Sequence, residues 1–551
     1  MAVEHTDGAR LSGRDRSEWT LQDEDARRYV LRAVDATVGL VESTYGPRGM
    51  EKLVHTEDLQ NRPETLRIDD AGRLLEAIER GGGFTHPIAA LFVDSVADMH
   101  GGLHDGTTTA VLLAGALVDE GVELIEQGVA PSSVVIGHAI ARSRAGEVLD
   151  ELARPVEPDD HETIADVAAT TMTTALDPAV RERLAGHVAT AIDRLAAATE
   201  DRWINTDDAK VLASRGVEAG IHDGLVLSRP ADADPTGRDL EGPIEDATVA
   251  ILDAEIDPEE TASVIDDVTL STAEGADRYT SELAAYLESM ATDLRSAGVD
   301  VLVCQEALEE PIARALERAG IAVVDKATYP KEDVYRLARA TGGTAVSDVA
   351  DLSEERLGRA GRVTQREVDG SVWTVFEDCP GAVCTLTTGG ATAAETARRE
   401  EALEDALETA GTAAIDGQVL PGAGASAMAV ATAVDATARS TTGHEQLALS
   451  GFADALERLP RALARNAGHD PIDAVTALRT AHAVEGRSTA GVDPATGEPM
   501  DALEAGVLEP RRVFSQAIET AAAAAERLLT VDAVLYPNVQ LQGYTPRPEN
   551  E

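Results

Sequence analysis

His104-Asp105-Gly106-Thr107-Thr108-Thr109 runs without pause into the apolar segment Ala110 to Leu117. An acid, a glycine and three hydroxyls at the head of a helix make a cradle for phosphate. The glycine lets the backbone come close, the free N–H groups of the first turn point at the anion, and a carboxylate there can hold a magnesium ion. By itself the same string is also an Asp-Gly turn capping an ordinary buried helix. The flanking chain has to decide between the two.

Upstream, Tyr29, Val30, Ala33, Val34 and Val38 recur at helical spacing within Gln22 to Val41. That helix ends at Thr44-Tyr45-Gly46-Pro47-Arg48-Gly49-Met50, where two glycines and a proline force an irregular loop. A break at Ile68-Asp69-Asp70-Ala71-Gly72 starts a helix over Arg73 to Arg80, and Pro87 to Val96 reads as another before a loop over Gly101 to Gly106. Up to about Pro155 the pattern is all helix and loop. Residues 156 to about 225 begin helical, with Val180 to Ala198 the clearest case, and shift toward short strands near Val211 and Val226. Beyond Pro230, Val249 to Leu252, Val299 to Cys304 and Ile321 to Val324 are short apolar strands separated by the helices Ser281 to Arg295 and Pro311 to Ala319. That alternation predicts an α/β domain. Ala382 to Thr388 is a further strand, and from Ala394 the chain is helical again to about Leu529. A nearly palindromic order of this kind is expected when one domain is inserted into another, itself inserted into a third.

Composition bounds the rest. A chain of 551 residues predicts roughly two to four domains. With 43% hydrophobic residues but only 3% aromatics, the core must be built from Ala, Val, Leu and Ile, which suits a helix-rich protein. There are 99 Asp and Glu against 47 Lys and Arg, a formal net charge of −52, and the acids are spread over the whole length. Such a surface fits high salt, where screening removes self-repulsion, and it argues against nucleic acid or anionic membrane as partners. Cys304, Cys379 and Cys384 are too few for a disulfide framework, Met1 to Thr20 lacks the apolar core of a signal peptide, and no apolar run approaches a membrane span. A cytoplasmic location is the expectation.

Two further clusters bear on chemistry. Gly417-Gln418-Val419-Leu420-Pro421-Gly422-Ala423-Gly424-Ala425 is a glycine-rich turn before a helix, able to line a nucleotide or to let two helices pack tightly. Just before it, Glu404-Asp405-Ala406-Leu407 lies in a helical run rich in Glu and Arg, where an acid is usually a solvated face.

Taken in order, Thr44-Tyr45-Gly46-Pro47-Arg48-Gly49-Met50-Glu51-Lys52, Asp105-Gly106-Thr107-Thr108-Thr109-Ala110-Val111 and Ala402-Leu403-Glu404-Asp405-Ala406-Leu407 resemble the group II chaperonins, the thermosome and CCT family. Gly422-Ala423-Gly424-Ala425, Asn466-Ala467-Gly468-His469-Asp470-Pro471-Ile472-Asp473 and Glu504-Ala505-Gly506-Val507-Leu508-Glu509-Pro510 extend the resemblance, from residue 22 to about residue 534. It implies a multidomain α and α/β fold. A helical equatorial ATPase domain would comprise 1–155 and 419–551, a nested intermediate domain 156–225 and 382–418, and an inserted apical α/β domain 226–381, with a helical protrusion at about 255–290 as a built-in lid.

The resemblance also implies a function and a site. The expected protein is an ATP-dependent folding chaperone that assembles with other chaperonin subunits into a double ring and closes its lid over unfolded protein clients. The expected cofactors are ATP and Mg. Asp105 would bind the metal, and Gly106, Thr107, Thr108 and Thr109 would hold phosphate oxygens. Gly46, Pro47 and Gly49 would form part of the pocket wall, Gly424 and Gly491 would border base and ribose, and Glu504 would accept a ribose hydroxyl. Asp405 would orient or deprotonate the attacking water, assisted by Asp70. Phosphoryl transfer needs mainly positioning, charge neutralisation and an acid near the water, and placing that acid on a moving domain ties hydrolysis to closure.

Three positions depart from the family pattern. His104 stands where the family has glycine, Asp69-Asp70-Ala71 replaces Asn-Asp-Gly, and a lysine near the terminal phosphate aligns with Ala175. Were the lost glycines at positive φ, each replacement would cost about 1–3 kcal/mol of strain. Two readings therefore stand: an active ATP-driven chamber, favoured by Asp70, Asp105 and Asp405, and a structural subunit with weak or absent hydrolysis, favoured by His104, Ala71 and Ala175. A zinc site at His100 and His104 is set aside because Gly101 and Gly102 argue against a helix between them. The P-loop, serine hydrolase and zincin motifs are absent.

Overall fold

The computed structural model describes residues 18–57, 63–84, 86–103, 105–172, 176–198, 203–230, 240, 242–256, 273–325 and 332–537. Its helices are α1 (Asp23–Val41), α2 (Ala71–Arg80), α3 (Pro87–Leu103), α4 (Thr107–Glu126), α5 (Pro131–Leu152), α6 (His161–Thr171), α7 (Pro178–Ala197), α8 (Ala273–Ser296), α9 (Glu310–Arg318), α10 (Glu332–Thr341), α11 (Ala393–Asp416), α12 (Ala425–Ser440), α13 (Glu445–Leu456), α14 (Arg458–Asn466), α15 (Pro471–Ala483) and α16 (Arg511–Leu529). The first strands are β1 (Glu18–Gln22), β2 (Lys52–Glu57), β3 (Pro63–Ile68), β4 (Arg154–Pro155), β5 (Ala209–Ala213), β6 (Gly220–Pro230), β7 (Ile244–Leu252), β8 (Val301–Cys304) and β9 (Ala322–Val324). They are followed by β10 (Ala345–Val346), β11 (Gly358–Val368), β12 (Ser371–Glu377), β13 (Cys384–Thr388), β14 (Gln418–Pro421), β15 (Ala490–Val492), β16 (Pro499–Asp501), β17 (Leu508–Pro510) and β18 (Ala533–Pro537).

One body is helical and is built around α4. Val111, Leu113, Ala114, Leu117 and Val118 of that helix are fully buried, and α1, α3, α13 and α16 pack against it. Ala521, Ala522, Ala524 and Ala525 of α16 belong to the same core, so the alanine stretch is a close-packing surface. Truncating Leu113 to alanine would cost about 2–5 kcal/mol through lost contacts and a cavity. The ends of the described chain meet here, since β1 pairs antiparallel with β18, Glu18 opposite Pro537.

A second body packs α6, α7 and α11 against Cys384 and Leu386 of β13. The third is a mixed sheet. Strands β7, β8 and β9 run parallel, β10 is parallel to β7, and β11 is antiparallel to β7. Alternate residues of β7 serve opposite faces. Ala250 and Leu252 meet α8 and α9, whereas Val249 and Ile251 face the side covered by α10. The sheet continues through β11, β12 and β6 to β13 and β5, and so reaches the second body. Lys210 of β5 pairs with buried Asp333 of α10, Arg336 Nε donates to the Asp207 carbonyl at 2.6 Å, and Arg339 pairs with Asp208.

Several expectations are corrected. The N-terminal region is not all helix and loop: β2 and β3 form an antiparallel hairpin, Lys52 opposite Ile68. The loop read over Gly101 to Gly106 is shorter, because α3 continues through both glycines to Leu103, where Leu103 packs with Ala110, Val513 and Ala517. Gly101 and Gly102 therefore do not exclude a helix. Among the described residues there is still no group of three or more His, Cys, Asp or Glu fit to hold a metal alone. The strain expected at Ala71 is absent: it opens α2, is fully buried, and is not among the described non-glycine residues at positive φ. His104, Ala175 and the strand read over Val268 to Leu270 lie outside the described residues. Of the lid segment, Leu287 and Met290 on α8 are buried against the sheet, with Leu283 and Tyr286 partly so.

Candidate functional site

The site is a cleft of about 510 Å³ between the helical body and the body of α6, α7 and α11. Its floor is the start of α4. Gly106 is the N-cap at φ 83°, a left-handed conformation in which a side chain would be strained, and no side chain caps the helix. The first-turn N–H groups are thus left for an outside acceptor. The Gly106 N–H donates to Asp105 Oδ1 at 2.6 Å. Thr107 Oγ1 is buried without a hydrogen-bond partner, and Thr109 Oγ1 meets Tyr45 Oη at 3.5 Å.

A second helix start faces the cleft. Gly424, at φ 78°, caps α12 in the same left-handed way, and its neighbour Ala423 holds φ 53° although it has a Cβ. That strained turn is fixed from behind. The Val492 N–H donates to the Ala423 carbonyl at 2.9 Å, and a Cβ on Gly491 would stand 2.8 Å from Ala423 Cβ.

The opposing wall comes from α11. Arg398, Glu401, Asp405 and Thr409 recur at intervals of three and four, which places them on one helix face, and all four line the cleft. The other face, with Leu403, Leu407 and Ala410, is buried. Arg73 of α2 reaches across: its Nη2 donates to both oxygens of Asp405 at 2.8 Å, and its Nη1 pairs with Glu401 at 2.9 Å. Asp70, one turn earlier, caps α2 by accepting from the Arg73 N–H at 3.1 Å. A second bridge joins Arg398 to Glu51 at 2.9 Å.

Carboxyl groups crowd this space. Burial pushes Asp105 up to about 6, opposed by the Gly106 N–H and reinforced by Asp70. Burial raises Asp405 to about 8, with Arg73 pulling it down and Asp70 and Asp105 pushing it up. Glu509 of β17 is raised to about 8 by burial and by Asp105. Desolvated acids of this kind are relieved by a cation. A single carboxylate supplemented by phosphate oxygens and waters is how magnesium is usually held, so the donor set fits that ion although the described residues form no protein-only cage.

Of the residues named from sequence, Gly46, Pro47, Asp70, Asp105, Gly106, Thr108, Thr109, Asp405 and Gly424 line the cleft. Thr107 lies beneath its floor. Gly49 shapes the turn from outside: its N–H donates to the Gly46 carbonyl at 3.0 Å, and a Cβ there would meet the Thr44 carbonyl. Gly491 supports the Ala423 turn and does not line the cleft. Glu504 is exposed and off the cleft, whereas Glu509, five positions on, lines it. Sequence reasoning missed Arg73, Arg181, Arg398, Glu401 and Glu509. The spacing of Arg398, Glu401 and Asp405 could have found two of them, and the apolar neighbours of Glu509 a third. Asn466, quoted only as a motif residue, donates to the Glu42 and Tyr45 carbonyls at 2.9 and 2.8 Å and so pins the Thr44–Gly49 turn to α14.

A helical body and a nested second body facing each other across a cleft of this composition, with an α/β sheet inserted beyond, have the organisation of a chaperonin-type subunit, and comparison with known proteins agrees. The model of the TCP-1/cpn60 chaperonin family matches residues 38–538. A thermosome subunit of Methanopyrus kandleri is 34% identical over 515 residues, covering 93% of this chain and 92% of its own. Thermosome subunit alpha of Halobacterium salinarum and thermosome subunit 1 of Haloferax volcanii are each 33% identical over 516 residues, covering 93% of this chain and 88% and 89% of their own. The chain belongs to the TCP-1/cpn60 chaperonin family, on its group II, thermosome-like branch.

Proposed function

We propose that this chaperonin subunit binds and hydrolyses Mg-ATP in the cleft and uses the reaction to fold proteins within a double ring. The observation that carries the reading is the convergence of Asp105, Asp70 and Asp405, from three distant segments, on one cleft at the uncapped start of α4. Asp105 would hold magnesium, which when bound neutralises phosphate charge. The free N–H groups of α4 and the Thr108 and Thr109 hydroxyls would hold phosphate oxygens, with Thr107 supporting the turn from beneath. Asp405 accepts a proton from the attacking water, and Asp70 orients that water. Arg181 of α7, whose Nε is buried without a partner, supplies a cation on the same wall. Glu509, rather than Glu504, is the acceptor for ribose hydroxyls.

The helical body is then the equatorial domain, the body of α6, α7 and α11 the intermediate domain, and the mixed sheet the apical domain that binds clients and carries the lid. Of the features that favoured a weakened subunit, Ala71 is unstrained. Among the described residues no helix is long and apolar enough to cross a membrane.

Electron-microscope images of the purified protein at molar salt, with and without Mg-ATP, test the reading. It requires stacked rings that close with nucleotide; particles indifferent to Mg-ATP, or no rings at all, count against it.

A further inference from the structure

Among the described residues, Arg73 is the one of the helical body that forms ion pairs with both Asp405 and Glu401 of α11. Arg73 and Asp405 are 332 residues apart in sequence; the one nitrogen Nη2 meets both Asp405 oxygens at 2.8 Å, while Nη1 meets Glu401 at 2.9 Å. A flat guanidinium whose two Nη groups engage acids on successive turns of one helix fixes orientation as well as distance. Its own stem is anchored, since Arg73 lies in the first turn of α2 under the Asp70 cap. The pair is partly buried, with side-chain exposures of 23% and 28%, so solvent screens it less than the rim pairs of the surface. Four acids face the guanidinium: Asp69 and Asp70 from its own segment, and Glu401 and Asp405 from α11.

A carboxylate offers about four lone-pair positions, and one contact on each oxygen takes two. Asp405 held by Arg73 can therefore still accept from a water. We propose that Arg73 is a positioning residue that latches α11 onto α2 and aims the Asp405 carboxylate into the cleft, so that closure of the two bodies and alignment of the acid are one event. This rests on the reading of Asp405 given above. It assigns Arg73 no contact with nucleotide: its two Nη groups are committed to α11.

The test uses the assembled full-length protein carrying Arg73→Met, which keeps the apolar stem, and Arg73→Lys, which keeps the charge without the fork. Cryo-electron microscopy of wild type and variants without nucleotide reads the position of α11 against α2. Steady-state Mg-ATP hydrolysis reads kcat and KM separately. The latch predicts that α11 swings away from α2 in Arg73→Met, that kcat falls about 10²-fold through misplacement of the acid, that KM for ATP changes little, and that Arg73→Lys recovers part of both losses. An unmoved α11, a kcat equal to or above wild type, or a loss confined to KM overturns the proposal, the last because Arg73 would then be binding nucleotide. Wild-type protein that does not hydrolyse ATP defeats the functional reading instead. The position of α11 in Arg73→Met still judges the latch in that case.

Discussion

The Gly106 N–H donates to Oδ1 of Asp105 at 2.6 Å, within the turn that opens α4. The bond keeps the carboxylate folded over the helix start, where an anion and a metal ion can meet it together. Burial nevertheless leaves its pKa at about 6. A metal needs the deprotonated form, so magnesium affinity should be level above neutrality and fall about tenfold per pH unit below 6 as protons compete. Titrating magnesium against ATP binding from pH 5 to pH 8 checks this. Asp105→Asn should remove both the affinity and its pH dependence.

Asp405 is the acid whose removal should hurt turnover without hurting binding. Asp405→Asn is expected to lower kcat by about 10²–10⁴-fold, the usual range for a general base, with ATP affinity almost unchanged. Its raised pKa, about 8, also fixes the direction of the pH profile: kcat should climb from pH 6 to pH 8 as the carboxyl loses its proton. A flat profile over that interval would separate Asp405 from the proton transfer.

Glu509 and Glu504 offer a paired comparison. The Glu509 carboxyl is pushed up to about 8 in the folded chain, against 4.5 in the unfolded reference, so the folded state binds the extra proton between those values. Its burial therefore costs stability that grows as pH rises from about 4.5 and levels off above 8. In metal-free and nucleotide-free protein, Glu509→Gln should raise Tm at pH 8.5 and leave it unchanged at pH 4.5. The same variant should weaken ATP binding, whereas exposed Glu504→Gln should alter neither measurement.

Gly491→Ala should act on the site from behind. A Cβ would come within 2.8 Å of both Ala423 Cβ and its carbonyl oxygen, and Ala423 already sits at positive φ. Overpacking of this kind costs about 1–3 kcal/mol. We expect a lower melting temperature together with weaker ATP binding, because the displaced turn carries Gly424 at the head of α12. Calorimetry of the ring with and without ATP separates the two effects.

The parts of this molecule legible in the sequence are those where one segment contains its own explanation. Asp105-Gly106 before an unbroken apolar run had to be a helix start, and the short apolar run Val249 to Leu252 had to be a strand. What escaped depends on partners remote in the chain. Gly101 and Gly102 cost about 1 kcal/mol each in a helix, yet α3 passes through them because Leu103 finds Ala110, Val513 and Ala517. In the β2–β3 hairpin Val54, Leu66 and Ile68 pack on the helical core while apolar Leu53 is 73% exposed on the outer face, so the alternation that marks a strand in sequence is blurred. Glu504 and Glu509 are equally acidic on paper. Only the pairing of β17 with β14, Glu509 opposite Leu420, turns one of them toward the cleft. Arg73 reads as an ordinary helix-surface arginine until α11 is laid beside it.

The most direct test of the central claim is release of radiolabelled phosphate from ATP by the purified ring at molar salt, with magnesium, with a chelator in its place, and with Asp105→Ala. The wild type should turn over in magnesium alone, and either change should abolish it. Hydrolysis that persists in chelator or in Asp105→Ala, or none under any condition, would contradict that claim.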